Sequence, residues 1–323
     1  MKKILVTGGQ GFIGTHLCIE LFKMGYEVAS LDISHPDDNE LLMKFRDESN
    51  DEERDDLDNR FQLMKVDLTD DRLYQERHEF KDFDLIYHLA SPIGVDNIMN
   101  HPNETLKSAT LINQFIDNIA EMFKIPVVYS SSSEVHGIGV INDKSNYNVK
   151  KVSDSPRWSY AAAKIHGEAT FMYGYYPSSI IRFFNVVGVG QNTPGMVIPT
   201  FIKQAMLNQQ LLIKEDGVRS YCDIREALQY IIPIGIDLMN NKFGSKYNKQ
   251  DFNIGNSENV IKTLELAETI IAMVGSGKIA YDLTYDNKEA IPSRLLEIDN
   301  DLLQSMNIKH YTLNEILENI LKD

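Results

Sequence analysis

The run Lys2-Lys3-Ile4-Leu5-Val6-Thr7 leads directly into glycines at positions 8, 11 and 14, then into an apolar stripe of Ile13, Leu17, Leu21 and Phe22 at helical spacing. A strand that turns through such a loop into a helix leaves little choice of fold, because each glycine meets a separate steric demand. Gly8 permits the tight turn out of the strand. Gly11 lets a pyrophosphate come up to the backbone at the positive end of the helix, where Phe12 and Ile13 stand. Gly14 lets helix and strand pack closely. The spacing predicts a dinucleotide site on the first βα turn of a parallel sheet.

A second strand-like run, Tyr26 to Leu31, ends in Asp32, 18 residues beyond Gly14. An acid at that distance suits the adenosine ribose hydroxyls. No Arg or Lys occurs between residues 25 and 43, so a 2′-phosphate would meet Asp32 without a cation, and NAD is expected rather than NADP. Asp67, closing the run Phe61 to Val66, and Leu68 after it are candidates for the adenine end; the structural alternative for Asp67 is a turn residue at a strand end.

Further strand-like runs at 84–89, 125–130, 179–184 and 251–254 alternate with helical patterns. This is the signature of an α/β chain with a doubly wound, Rossmann-type parallel sheet, here with a smaller C-terminal lobe. The Gly-, Val- and Pro-rich stretch Asn185 to Pro199 leaves the sheet. The expected division is residues 1–185 with about 219–254 for the NAD-binding domain, and about 186–218 with 255–323 for the substrate lobe. A net charge of −15 argues against nucleic acid as a partner. Residues 37–60 hold eleven acids against four bases and read as a solvated insertion after the second strand. No apolar run approaches the length of a membrane span. The chain opens straight into a strand-like run, so no leader is expected. Cys18 and Cys222 have no metal-ligand spacing and read as reduced thiols of a cytoplasmic protein with no metal site.

The chemistry is expected at Tyr160 and Lys164, four residues apart in Trp158-Ser159-Tyr160-Ala161-Ala162-Ala163-Lys164. On a helix they share a face, and an ammonium beside a phenol lowers its pKa, giving a base for a sugar or alcohol hydroxyl. The serine cluster Ser130 to Ser133 lies upstream at a strand end, the side of the sheet where sites form in such folds.

These segments together resemble the extended short-chain dehydrogenase/reductase superfamily, specifically the NAD-dependent nucleotide-sugar epimerases, decarboxylases and dehydratases. Thr7 to Gly14 is similar to the family's glycine motif, and His88-Leu89-Ala90-Ser91 to the segment under its cofactor. Ser131-Ser132-Ser133-Glu134-Val135-His136-Gly137 resembles its serine/threonine loop, and Tyr160 with Lys164 its catalytic pair. Arg182 to Gly188 and Phe252-Asn253-Ile254-Gly255-Asn256 resemble two later signatures.

The resemblance implies Tyr160 as the base at a sugar C4 hydroxyl, Lys164 lowering its pKa and holding the nicotinamide ribose, and Ser132 bonded to the same oxygen. It adds Leu89, Ala90 and Ser91 to the cofactor site. Ser133 and Asn185 would contact substrate, and Arg219 and Arg294 would hold a diphosphate, where a guanidinium fork fits. Glu134 is either a substrate- or water-positioning group or a loop acid bonded to backbone. Ser133 stands where the dehydratases carry Asp, which argues against dehydration. The expected reaction is C4 epimerisation of a nucleotide-diphosphate sugar, the alternative decarboxylation of a nucleotide-linked uronate. A non-catalytic NAD-binding protein and a dehydrogenase releasing NADH are the rival classes. His136 replaces a usual Tyr and reads as a packed histidine; Ala109 stands near a usual Asn. Apolar residues on several faces of 103–123 and 158–175 imply a homodimer, as in similar enzymes.

Overall fold

In the computed structural model, which describes residues 1–92, 94–137, 139–141, 155–192, 195–214, 217–281, 294–296 and 300–323, all seven apolar runs are strands of one sheet. In chain order the strands are β1 (Lys3–Thr7), β2 (Glu27–Asp32), β3 (Phe61–Lys65), β4 (Leu85–His88), β5 (Val127–Ser132), β6 (Gly139–Ile141), β7 (Ser178–Phe183), β8 (Asn185–Val187), β9 (Gln210–Ile213), β10 (Val218–Asp223), β11 (Gln250–Ile254), β12 (Val260–Lys262), β13 (Lys278–Tyr281) and β14 (Arg294–Leu296). The large sheet runs β11-β7-β5-β4-β1-β2-β3, with every neighbouring pair parallel.

Side chains alternate across a strand, and β1 shows why its sequence is apolar throughout. Ile4 and Val6 enter one core with Leu17 and Leu21 of the helix Phe12–Lys23 and Ile231 and Ile234 of the helix Ile224–Asn241. Leu5 enters the other with Phe115, Ile116 and Ile119 of Pro102–Phe123 and Phe171 of Trp158–Tyr173. The chain winds outward from β1 in both directions, so the order reverses between β1 and β4. There Thr7 pairs with His88, and the loops leaving the two strands diverge. Such a reversal opens the crevice in which open α/β sheets bind ligands.

The acidic stretch is not a solvated loop. It forms the helices Glu40–Glu48 and Asp51–Arg60, the first capped by Asn39 and the second by a capping box of Asn50 with Glu53. Asp51, Glu52 and Glu53 fall in the first turn, where carboxylates favour the helix dipole. Charge density alone hid these caps from a reading by composition.

Beyond β7 the chain builds a smaller layer. β10 pairs with β8 and β14 in parallel and with β12 antiparallel, β14 pairs with β6, and β13 pairs with β9. A third core, including Ile198, Phe201, Leu211, Tyr221, Leu266 and Ile316, holds this layer. The helix Ile224–Asn241 and β11 return to the large sheet. Cys18 and Cys222 are buried free thiols. No described helix is long and apolar enough to cross a membrane.

Candidate active site

The glycine loop is set by close packing on both sides. Gly8 has φ +68°, and a Cβ there would stand 2.7 Å from the Ala90 nitrogen; a Cβ on Gly14 would overlap the Gly8 carbonyl oxygen. Gly11 is the N-cap of the following helix and supplies no side-chain cap. The first turn, with Phe12 and Ile13, is left for another acceptor. Asp32, at the end of β2, accepts the Gln10 N–H (3.1 Å) and the Ser34 N–H (3.0 Å). A loop without side chains, an uncapped helix start and a carboxylate beside them fit the pyrophosphate and ribose of NAD. Asp67 is exposed and accepts the Thr69 N–H (2.9 Å) and hydroxyl (2.7 Å), as a turn residue does, while Leu68 after it is buried. Leu89 donates its N–H to the Thr7 carbonyl (3.0 Å) and Ala90 to the Thr7 hydroxyl (3.3 Å), so Leu89-Ala90-Ser91 runs beside the glycine loop.

Tyr160 and Lys164 lie one turn apart on the helix Trp158–Tyr173, which buried Trp158 anchors at its start. Lys164 Nζ donates to the Ser130 carbonyl (2.7 Å) and stands 5.7 Å from the Tyr160 ring centre. Ser132, the last residue of β5, accepts the Glu134 N–H (3.3 Å) and stands close enough to Tyr160 to lower its pKa. The phenol, hydroxyl and ammonium expected together from the sequence do converge.

Their electrostatics differ from expectation. Burial strips water from Lys164 and lowers it to about 7, Glu168 opposing in part. Tyr160 is pushed up to about 12 by burial and by the Glu134 carboxylate, against the Ser132 hydroxyl and the Arg157 charge. In the protein alone Lys164 does not lower the Tyr160 pKa, because an ammonium that loses its own proton near neutrality offers little field. Glu134 is not bonded merely to backbone. Arg157 grips it with Nη2 on Oε1 (2.5 Å) and Nε on Oε2 (3.2 Å). Ser133 begins the short helical turn Ser133–His136.

Sequence reading missed the polar chain beneath this site. Thr7 Oγ1 hydrogen-bonds His88 Nδ1 (2.7 Å), and His88 Nε2 meets Asn113 Oδ1 (3.1 Å). The asparagine sought near Ala109 is thus supplied one turn later. Its signal is a lone amide in the buried stripe Thr105, Ala109, Asn113, Ile116 and Ala120. Also missed was Glu168, which forks onto Arg182 (2.8 and 2.7 Å) and accepts from Ser131 (2.5 Å), tying the Tyr160 helix to β7 and β5. His136 is the packed residue expected, bonded through Nε2 to Asn253 Oδ1 (2.8 Å).

Asn185 is exposed at the start of β8 and donates to the Ser220 carbonyl (2.9 Å). Arg219 of β10 is half-buried and lies in register with Arg294 of β14, so the backbone brings the two candidate guanidinium positions side by side. A cavity of about 410 Å³ opens beside the glycine loop, lined by Gln10, Gly11, Phe12, Ser34 and His35 and, opposite, by Gly188, Gly190 and Gln191. Tyr160 and Lys164 are not among its walls. The cavity lies beside β1 and β2, and Tyr160, Lys164 and Ser132 lie further along the strand ends at β5.

Fold and glycine loop together are those of an extended short-chain dehydrogenase/reductase, and the first βα turn fits a dinucleotide. The chain belongs to the NAD dependent epimerase/dehydratase family, whose model matches residues 4–255. It is 28% identical over 308 residues to the UDP-N-acetyl-alpha-D-glucosaminuronate decarboxylase of Bacillus cytotoxicus, across 91% of this chain and 88% of that one. It is 29% identical over 286 residues to UDP-glucuronic acid decarboxylase 1 of Xenopus tropicalis, covering 85% of this chain and 61%, about three fifths, of that longer protein. Its fold matches the Bacillus cereus UDP-glucuronic acid 4-epimerase, solved with UDP-glucuronic acid and NAD, at a TM-score of 0.79, with 22% identity over 99% of this chain and 98% of the other. The family is NAD-dependent, and the residues at the glycine loop fit that cofactor.

Proposed function

We propose that this protein decarboxylates a nucleotide-diphosphate-linked uronic acid through a 4-keto sugar. The observation that carries the reading is Glu134, clamped by Arg157 beside Tyr160 in a loop with serine at 133, in a chain similar over most of its length to uronate decarboxylases. Loss of water from C6 needs an acid at that oxygen, and Ser133 is a poor one. Loss of carbon dioxide needs only a ketone β to the carboxylate, which supplies its own leaving group. The similarity to uronate decarboxylases over most of the chain shifts the weight from C4 epimerisation, expected first from the sequence, to the alternative.

Bound NAD would supply a hydride acceptor for C4, returned to the same carbon at the end of the turnover. Gly8, Gly11, Phe12, Ile13 and Gly14 would cradle its pyrophosphate, Asp32 its adenosine ribose, Asp67 and Leu68 the adenine end, and Leu89, Ala90 and Ser91 the nicotinamide half. Lys164 would hold the nicotinamide ribose. Tyr160, which must first shed its own proton to act as the base, takes the O4 proton as a phenolate, and Ser132 holds that oxygen. The C5–C6 bond then breaks, and its electron pair moves into the C4 carbonyl as an enolate stabilised by the Ser132 and Tyr160 hydroxyls. C5 takes a proton from water, and Tyr160 returns its proton to O4 as the ketone is reduced. Ser133 and Asn185 would contact the sugar, Arg219 and Arg294 the diphosphate.

The large-sheet half is then the cofactor domain and the smaller layer the nucleotide-sugar lobe. A homodimer through Pro102–Phe123 and Trp158–Tyr173 is part of the proposal, supported by exposed Leu106, Leu111 and Tyr173 on those helices. Sedimentation as a monomer at micromolar concentration would remove it.

The test is incubation with NAD and UDP-, GDP-, CDP- and dTDP-linked hexoses and uronates, with products read by mass spectrometry and NMR. A product lighter by carbon dioxide supports the reading. An isomer of unchanged mass would establish the 4-epimerase, which the similarity of Phe183 to Pro199 to epimerases favours as second reading. Loss of water would make it a dehydratase, and NAD binding without turnover a non-catalytic protein.

A further inference from the structure

The acidic insertion has no part in the reaction above, yet its first helix stands at the cofactor groove. Asn39 fastens the start of Glu40–Glu48 to the glycine loop, its Nδ2 donating to the Gln10 carbonyl (2.8 Å) and reaching Thr15 Oγ1 (2.6 Å), while its Oδ1 accepts the Leu42 N–H (2.9 Å). Leu42 is buried, and Phe45 packs edge-on against Phe22, ring centres 6.2 Å apart, so the helix is seated on the large-sheet half. Leu41 and Lys44, three residues apart and so on one face, reach the opposite side. Leu41 Cδ2 lies where a Cβ on Gly190 would be only 3.2 Å away, and Lys44 pairs with Asp323 after the last helix of the smaller layer. Asp38, Asn39, Glu40 and Leu41 thereby close the cavity of about 410 Å³ opposite Gly188, Gly190 and Gln191.

We propose that the helix Glu40–Glu48 is the outer wall of the NAD site, and that Asn39 and Leu41 are positioning residues that keep the cofactor in place through turnover. The inference rests on NAD lying along the Gly8–Gly14 loop. A reaction that returns its hydride within each cycle neither consumes nor exports the cofactor, so slow exchange does not slow the chemistry. A wall that spans from the glycine loop to the 188–191 segment must part before the adenosine end can leave. Lys44 and Asp323 are exposed and add little alone; the apolar contact of Leu41 is the main closure.

The experiment measures release of NADH from the full-length protein by fluorescence, chased with excess NAD. Leu41→Ala should release NADH about tenfold faster or more, a change carried by the off-rate, and Leu41→Met should restore slow release. Hydrogen exchange of the Glu40–Glu48 amides in the unmodified protein should slow when NAD is bound. Release from Leu41→Ala within about twofold of the unmodified protein, or exchange of that helix indifferent to NAD, overturns the proposal. Failure of the unmodified protein to bind NADH would overturn the cofactor placement itself, and the wall with it.

Discussion

Lys164→Met removes one titrating proton from the centre of the site, and the structure says what that should do to stability. A lysine in water titrates near 10.5; folded, Lys164 titrates at about 7, because burial costs its ammonium more than Glu168 returns. Between those values the unfolded chain holds a proton that the folded protein does not. Its contribution to stability therefore rises with pH across that window, and the penalty is present in full below it. At about 1.4 kcal/mol for each pH unit the whole displacement corresponds to about 5 kcal/mol, of which about 2 kcal/mol falls between about pH 7.5 and about pH 9. Methionine keeps the length and carries no proton. Urea unfolding of the cofactor-free protein should therefore gain about 2 kcal/mol more over that interval in the unmodified protein than in Lys164→Met. Cys18, Cys222 and Lys249 also titrate differently in the fold, but they are common to both proteins and cancel in the difference. Parallel pH curves would show that Lys164 keeps its proton when folded, and the argument that it fails to lower the Tyr160 pKa in the protein alone would fall.

Tyr160→Phe should reduce turnover by about a hundredfold or more, the range for loss of a general base, while NADH binding by fluorescence stays within about twofold; full activity would show that another group takes the O4 proton. Gly14→Ala forces a methyl onto the Gly8 carbonyl and should weaken NAD by at least about tenfold in calorimetry, whereas unchanged affinity would mean that the cofactor does not use this loop. Glu168→Gln leaves Arg182, itself buried and also paired with Asp251, facing a neutral group on one side, and should cost about 3 kcal/mol or more in urea unfolding; a loss under about 0.5 kcal/mol would show that Asp251 alone satisfies the guanidinium.

By itself the sequence determined the sheet, the glycine turn and the pairing of Tyr160 with Lys164 on one helix, because each is written in local spacing. Apolar runs of strand length, glycines three apart and a Tyr-x-x-x-Lys step depend on neighbours a turn or less away. Tertiary structure alone decided how those groups behave. The Lys164 pKa depends on water excluded where its helix buries it against β5, which no spacing records. Asn113 reaches His88 across 25 residues, Glu168 reaches Arg182 across 14, and Arg219 lies beside Arg294 only after two strands pair. The acidic segment shows the difference most directly. Its charge was legible and suggested a solvated loop, but two asparagine caps made it helical, and packing of Leu42 and Phe45 carried Leu41 to the far wall of the groove. Composition records what a segment is made of; where its one apolar face lands is set by the fold that receives it.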